Sequence, residues 1–341
     1  MEHLSGRAII RPTLRADADA PRQDPAIDFK DVKGQENAKR ALEIAAAGGH
    51  HILLSGPPGV GKTLLAQALA GILPPFSFDE SLEITKIYSI AGKLTEAQPL
   101  VSERPFRNPH HTSSHTSIIG GGTYPRPGEM TLAHRGVLFL DEFPEFDRRV
   151  AESLRQPLEE RRITVARNQG VATFPADFMF VAAMNPCPCG NFGNPVQDCS
   201  CSPGAVTRYK KKVSGPIMDR IDLYVDMPAV SYEKLTGGES ESSSVIRSRV
   251  ERCRTLQKER LVGTPINTNA RMGLREIKRF IPVSGALKPI LKLAHERWRL
   301  SARSYHRVLK ISRTIADLED SEDIKERHLA EALQYRARQE L

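Results

Sequence analysis

Residues 51–73 read HILLSGPPGVGKTLLAQALAGIL, and the way this stretch divides decides the fold. HILLSG is a short apolar run of the kind that is buried on both faces of a sheet. KTLLAQALAGIL has helical spacing, which predicts Leu64, Leu65, Ala68 and Leu69 on one side. Strand, glycine-rich turn and helix together open an α/β unit. Upstream, QENAKRALEIAAA (35–47) predicts a helix closed by Gly48-Gly49. Downstream, GVLFLDE (136–142), FMFVAAMN (178–185) and DLYVDMP (222–228) are further buried-strand patterns, with a helical stretch at 150–160. The fold class expected is α/β, a parallel sheet flanked by helices on both faces.

The turn carries chemistry. Gly56-Pro57-Pro58-Gly59-Val60-Gly61-Lys62-Thr63 fits G-x-x-x-x-G-K-[ST]. Glycines let backbone N–H groups curl around phosphate oxygens, and the following helix aims its positive N-terminus at the same anion. In that pattern Lys62 serves the β- and γ-phosphates and Thr63 offers a hydroxyl to Mg²⁺. The run ending Leu140-Asp141-Glu142 is the natural complement: Asp141 for the metal shell, Glu142 to polarise an attacking water. Asn185 ends the next apolar run, where its amide could orient that water or simply cap the strand.

The 341-residue chain is 40% hydrophobic, 26% charged and 6% aromatic, a composition that excludes a disordered tail or a coiled-coil rod. At about 150 residues per domain its length predicts two units. No apolar run approaches the ~18–20 residues of a membrane span, and the N-terminus lacks a secretion signal, so a cytoplasmic protein with no membrane partner is expected. Residues 1–26 read as a flexible leader, 27–235 as the core, TGGESESSS (236–244) as a linker, and 245–341 as a helical unit. Helical patterns in that unit fall near 245–260, 286–299, 301–318 and 325–338. Residues 245–341 hold 22 Lys/Arg against 12 Asp/Glu, whereas 1–244 hold 27 against 29. Such an excess fits a polyanionic partner or a set of solvated helical faces. Within the core, 79–135 is rich in Ser, Thr, His, Gly and Pro and reads as a functional elaboration, and Ile163–Phe174 as a hairpin turning at Arg167–Gly170.

Four of the five cysteines cluster at Cys187, Cys189, Cys199 and Cys201, with Cys253 apart. Soft ligands so close read better as a structural zinc site than as two disulfides.

In this order the motifs resemble an AAA+ ATPase core followed by an all-α lid domain. GQENAKRALEIAAAGGHHILLSGPPGVGKT, RPFRNPHHTSSHTSIIGGG, GEMTLAHRGVLFLDEFPEF, LRQPLEERRITVAR, AAMNPCPCG, SGPIMDRID and LSARSYHRVLKISRTIADLE resemble the magnesium-chelatase-like branch, within it the ComM/YifB family. The resemblance covers about residues 27–338. Family members usually begin with a Lon-protease-like domain, which the 26-residue leader cannot supply. No Ser–Lys dyad falls on that leader, so no protease is expected.

The resemblance implies ATP and Mg²⁺ as cofactors and a homo-oligomeric, hexameric ring with ATP between neighbours. Arg220, in Met218-Asp-Arg-Ile-Asp222, matches the arginine that completes a neighbour's site; read without the family, Arg220 between Asp219 and Asp222 is a surface ion pair. Arg303 matches a second sensor arginine, with Arg307 one turn on in reserve. Arg161–Phe174 resembles the hairpin that projects into the pore, its tip Arg167, Asn168 and Gln169 suited to phosphate and sugar contact without sequence readout. Pro105–Gly122, with His110, His111 and His115, matches an insertion better suited to structural bonding or substrate contact than to catalytic metal. The function implied is an ATP-hydrolysing motor on DNA, with branch-migration or helicase-like activity in recombination during natural transformation. The alternative is a chelatase-type or protein-remodelling ATPase acting on a protein partner, and a weaker third an ATP-dependent scaffold with little turnover.

Overall fold

The computed structural model describes residues 27–95, 99–167, 170–194, 197–230, 232, 233, 237, 240–283 and 285–337. The leader 1–26 and the hairpin-tip residues Asn168 and Gln169 lie outside the described residues, as does the side chain of Arg167.

Nine strands are described: β1 (Ile52–Ser55), β2 (Phe106–Arg107), β3 (Gly120–Gly121), β4 (Arg126–Pro127), β5 (Val137–Leu140), β6 (Arg162–Arg167), β7 (Gly170–Pro175), β8 (Met179–Met184) and β9 (Leu223–Asp226). Five of them form one sheet in the order β2-β5-β8-β1-β9, every neighbouring pair parallel. β1 lies inside it, Ile52 facing Val181 on one side and Leu223 on the other. All four of its residues are buried, as its unbroken apolar run requires. Alternation splits the strands between two cores. Ile52, Leu54, Phe139, Val181 and Val225 face one, while Leu53, Leu138, Phe180, Ala182 and Tyr224 face the other. β6 and β7 stand apart as an antiparallel hairpin paired from Arg162–Pro175 to Arg167–Gly170. Its Ile163 and Val165 anchor it to the second core.

The first core lies under α1 (Glu36–Gly48) and α2 (Lys62–Ile72). α1 ends where the sequence says it should: Gly49 takes φ 73° and its N–H returns to Ala45 O at 2.8 Å. At its other end Gln35 sits at φ 59° and starts the helix without a side-chain cap. α2 is rotated slightly from the predicted face. Leu65, Ala68, Leu69 and Ile72 are buried, whereas Leu64 is 48% exposed.

The C-terminal helices Ser243–Arg260, Leu274–Phe280, Leu287–Trp298, Ala302–Leu318 and Glu326–Gln334 close the same core from outside. The Leu274–Phe280 helix has no counterpart among the predicted patterns. α1 is therefore buried almost throughout from Ala38 to Gly48, covered by the sheet on one side and by these helices on the other. Its last carbonyls, which no turn of its own can satisfy, accept from Arg254 (to Ala46 O, 2.7 and 3.0 Å) and from Gln257 (to Ala47 O, 2.9 Å). The serine run 242–244 does not stay irregular to its end. Ser243 is already in the helix and buried, its Oγ accepting from Phe29 N at 2.9 Å.

Candidate functional site

Parallel strands deliver the loops that follow them to one edge of a sheet. After β1 the chain turns through Gly59 (φ 78°) and Gly61 (φ 91°), left-handed conformations in which a side chain is strained. Gly56 is glycine for a different reason: a Cβ there would sit 2.4 Å from Met227 O. Lys62 is buried in the first turn of α2. Its ammonium donates to Gly56 O (2.6 Å), Pro57 O (2.9 Å) and Asn185 Oδ1 (3.0 Å), tying the phosphate loop to the end of β8. Burial pushes its pKa down to about 8, against the upward pull of Asp141 and Glu142.

Thr63 Oγ1 donates to Asp141 Oδ2 at 2.6 Å, so the two side chains assigned to Mg²⁺ are already in contact. Asp141 Oδ1 accepts from Glu142 N at 2.9 Å. Glu142 adopts φ 50°, and its carboxylate stays about half exposed. One partner was not read from the sequence. His111 Nδ1 lies 3.3 Å from Glu142 Oε2, with its ring stacked on His110 at 4.2 Å between centroids. The His-rich insertion thus reaches the acidic strand end, a meeting that only the tertiary fold creates.

The cysteine loop begins two residues after Asn185. Sγ of Cys187 lies 3.4 Å from Cys189 and 3.6 Å from Cys199, Cys189 and Cys199 are 3.6 Å apart, and all four sulfurs, Cys201 included, lie within 4.8 Å of one another. Tetrahedral Zn–S bonds of about 2.3 Å put sulfurs about 3.8 Å apart, whereas a disulfide needs about 2.05 Å. The donor set therefore fits a four-thiolate metal and not two bridges. The backbone N–H of Asn191 pulls the Cys189 thiol down to about 5, while burial and the neighbouring sulfurs push Cys199 up to about 12 and raise Cys201, so one sulfur ionises readily and the others need a cation beside them. This loop also rests on the phosphate loop: at Gly190 (φ 84°) a Cβ would come within 2.5 Å of Pro58 Cδ.

The arginines gather elsewhere. Arg220 precedes β9, and Asp222 N donates to His51 O just before β1, at 3.0 Å, so this cluster lies at the N-terminal ends of the strands. Four residues of strand, about 13 Å, separate the two edges. Arg220 is largely covered and bonds Glu159 and Pro216 O. Arg303 reaches the same Glu159 oxygen at 3.4 Å, and Arg307 lies 3.8 Å from Asp222. The structure thus unites Gly56–Thr63, Asp141, Glu142 and Asn185 on one edge and Arg220, Arg303 and Arg307 on the other.

Residues 28–235 match the family model described as magnesium chelatase, subunit ChlI, and 240–336 match the model for the C-terminal part of the same subunit. The chain belongs to the magnesium-chelatase family of AAA+ ATPases. It is 42% identical to the uncharacterized protein YifB of Salmonella typhimurium over 98% of this chain and 65% of that one. Identity to the competence protein ComM of Haemophilus influenzae is 44%, over 91% of this chain and 60% of that one. The 67 kDa magnesium-chelatase subunit of Chlorobaculum parvum is 28% identical over 47% of this chain and 23% of its own length. The chain thus spans less than two thirds of the length of the YifB and ComM relatives. Among the described residues no helix is long and apolar enough to cross a membrane.

Proposed function

We propose that the chain is an ATP-hydrolysing subunit of a homo-oligomeric ring, hexameric in its working form, that moves DNA by branch migration or helicase-like unwinding in recombination during natural transformation. The observation that carries this reading is the division of labour across the sheet. A full set of phosphate, metal and water-orienting groups lies on the C-terminal edge, and the arginines that would stabilise the transferred phosphoryl group lie on the opposite edge. One chain cannot bring them together. Head-to-tail packing of identical chains can.

In that arrangement Lys62 leaves the carbonyls of Gly56 and Pro57 for the β- and γ-phosphates, keeping Asn185 beside the γ-phosphate to orient water. Thr63 and Asp141 hold Mg²⁺, which when bound shields the phosphate charge. Glu142 accepts the proton of the attacking water. Arg220 exchanges Glu159 for the neighbour's γ-phosphate, and Arg303, bonded to the same carboxylate, moves with it; guanidinium suits this because it stays charged and spreads its donors. Cys187, Cys189, Cys199 and Cys201 hold a structural zinc that fixes the loop under Pro58. The β6–β7 hairpin carries Arg167, Asn168 and Gln169 toward the nucleic acid, contacting phosphate and sugar without reading sequence. The division into core, linker and helical lid at 236–244 belongs to the same reading. The resemblance to a protein named for competence supports the choice of DNA over a protein partner.

The test is ATP turnover of the purified protein with branched, single-stranded and double-stranded DNA at low and high salt, with Glu142→Gln as control. DNA stimulation that fades with salt and is lost in the control is expected. Brisk hydrolysis indifferent to every DNA would move the assignment to a protein partner, as in chelatase-type remodelling.

A further inference from the structure

Behind Arg220, between the N-terminal ends of β5 and β8 and the C-terminal helices, lies a cavity of about 510 Å³ lined by ten Lys/Arg and four Asp/Glu side chains. Carboxylates answer only part of the surplus: Glu80 takes Arg104 at 3.1 Å, Glu83 takes Arg135 at 3.0 Å, Glu159 takes both Arg220 and Arg303, and Asp222 lies 3.8 Å from Arg307. Asp177 alone receives Arg135 at 3.1 Å, Arg161 at 3.8 Å and Arg271 in closer contact. Lys310 has a backbone carbonyl, Ala270 O at 2.7 Å, as its hydrogen-bond partner. Arg254 donates only to Ala46 O among the described residues, and Lys258 stands exposed on the wall. Cations crowded this way repel one another. Burial, and then the Arg271 charge, push Arg161 below its ordinary value, and burial does the same to Lys310. A cleft in which cations outnumber the carboxylates raises the local concentration of anions.

The size and shape of the space choose the anion. A volume of 510 Å³ is that of a small-ligand site, and walls from both the sheet edge and the helices exclude a duplex. Its lining offers phosphate donors and few flat rings, so phosphate and not a base is what it would grip.

We propose that this cavity is a second anion site, separate from the phosphate loop, that takes a compact oligophosphate through Arg161, Arg271, Lys258 and Lys310, with Asp177 positioning the two arginines. Inorganic triphosphate and the phosphate tail of a free nucleotide share this chemistry.

The test uses the full chain carrying Lys62→Ala, which silences the phosphate loop, and titrates sodium tripolyphosphate by calorimetry at low salt. One equivalent is expected to bind, weakening as salt is raised. Lys258→Glu, at an exposed position that carries no packing, should weaken this binding about tenfold, and Lys310→Met by a similar factor. ATP and ADP titrated into the same chain separate the sources: affinity equal to that of tripolyphosphate assigns the inorganic anion, and tighter binding assigns the nucleotide. Absence of tripolyphosphate binding once Lys62 is replaced would overturn the proposal. So would binding that neither Lys258→Glu nor Lys310→Met alters, with melting curves of both variants recorded alongside.

Discussion

The two edges of the central sheet are built on opposite plans. On the C-terminal edge Lys62 is bonded to Asn185 at 3.0 Å and to Gly56 O at 2.6 Å, and Thr63 to Asp141 at 2.6 Å, a self-sufficient arrangement within one chain. On the N-terminal edge Arg220 and Arg303 share Glu159, a carboxylate about half exposed that any stronger anion could displace. The first edge is pre-organised; the second is held in readiness. The difference teaches that a parallel sheet places the end of one strand and the start of the next on opposite sides of the molecule, which is why the proposed site, needing both, calls for two molecules.

The largest effects should come from breaking either edge. Arg220→Ala is expected to lower ATP turnover about 10³-fold or more, and Glu142→Gln about 10²–10⁴-fold, with nucleotide affinity nearly unchanged in both. Equilibrium titration of a fluorescent nucleotide beside the turnover assay separates the effects. A large loss of affinity in Arg220→Ala would mean that this arginine supports its own chain's fold and not a neighbour's site.

Next comes the pre-organisation of the first edge. Cys199→Ser should cost the protein one equivalent of bound zinc by metal analysis. Relaxing the loop on Pro58 should cost roughly 2 kcal/mol, a fall in Tm of about 4–8 °C, and raise the KM for ATP. Unchanged KM with zinc lost would separate the cysteine loop from the nucleotide site.

Lys62 sharpens the same edge through pH. The unliganded ammonium loses its proton above about 8, because burial disfavours the charge. Bound phosphate requires the charged form, so binding must take up a proton there. ATP affinity should therefore fall as pH rises beyond 8, by up to about tenfold per unit, and calorimetry in buffers of different ionisation heat should register the uptake. A flat profile from pH 7 to 9.5 would contradict the buried-lysine account.

The smallest effect belongs to His111. Its contact with Glu142 is partly exposed, and such pairs are worth about 0–1 kcal/mol. His111→Ala should free the carboxylate and raise basal turnover about two- to fivefold without changing KM. Turnover that stays level would make the contact idle.

What the sequence disclosed follows the same division. The phosphate loop, the strand ends at Asp141 and Asn185 and the cysteine cluster are local patterns: each motif dictates its own geometry, and parallel strands bring the ends together. The core was legible for the same reason, down to the αL turn at Gly49. Where a neighbour decides, the reading drifted. Leu64 looked buried by periodicity, yet the cover over α2 falls on Leu65 and Leu69. The helix Leu274–Phe280, short and half charged, carries too little apolar pattern to announce itself. That His111 meets Glu142 across the fold, and that Asp177 gathers Arg135, Arg161 and Arg271, has no local signature. Nor did spacing disclose that Arg303 sits with Arg220 rather than with the phosphate loop of its own chain.

The most direct test of the shared site is to mix two inactive proteins, Lys62→Ala and Arg220→Ala, in equal amounts and measure ATP turnover. In head-to-tail rings, roughly a quarter of the interfaces would pair an intact phosphate loop with an intact Arg220. The account predicts turnover recovered to a comparable fraction of wild type. Mixtures shown to exchange subunits yet as inactive as either parent would contradict it, placing both groups in the service of a single chain.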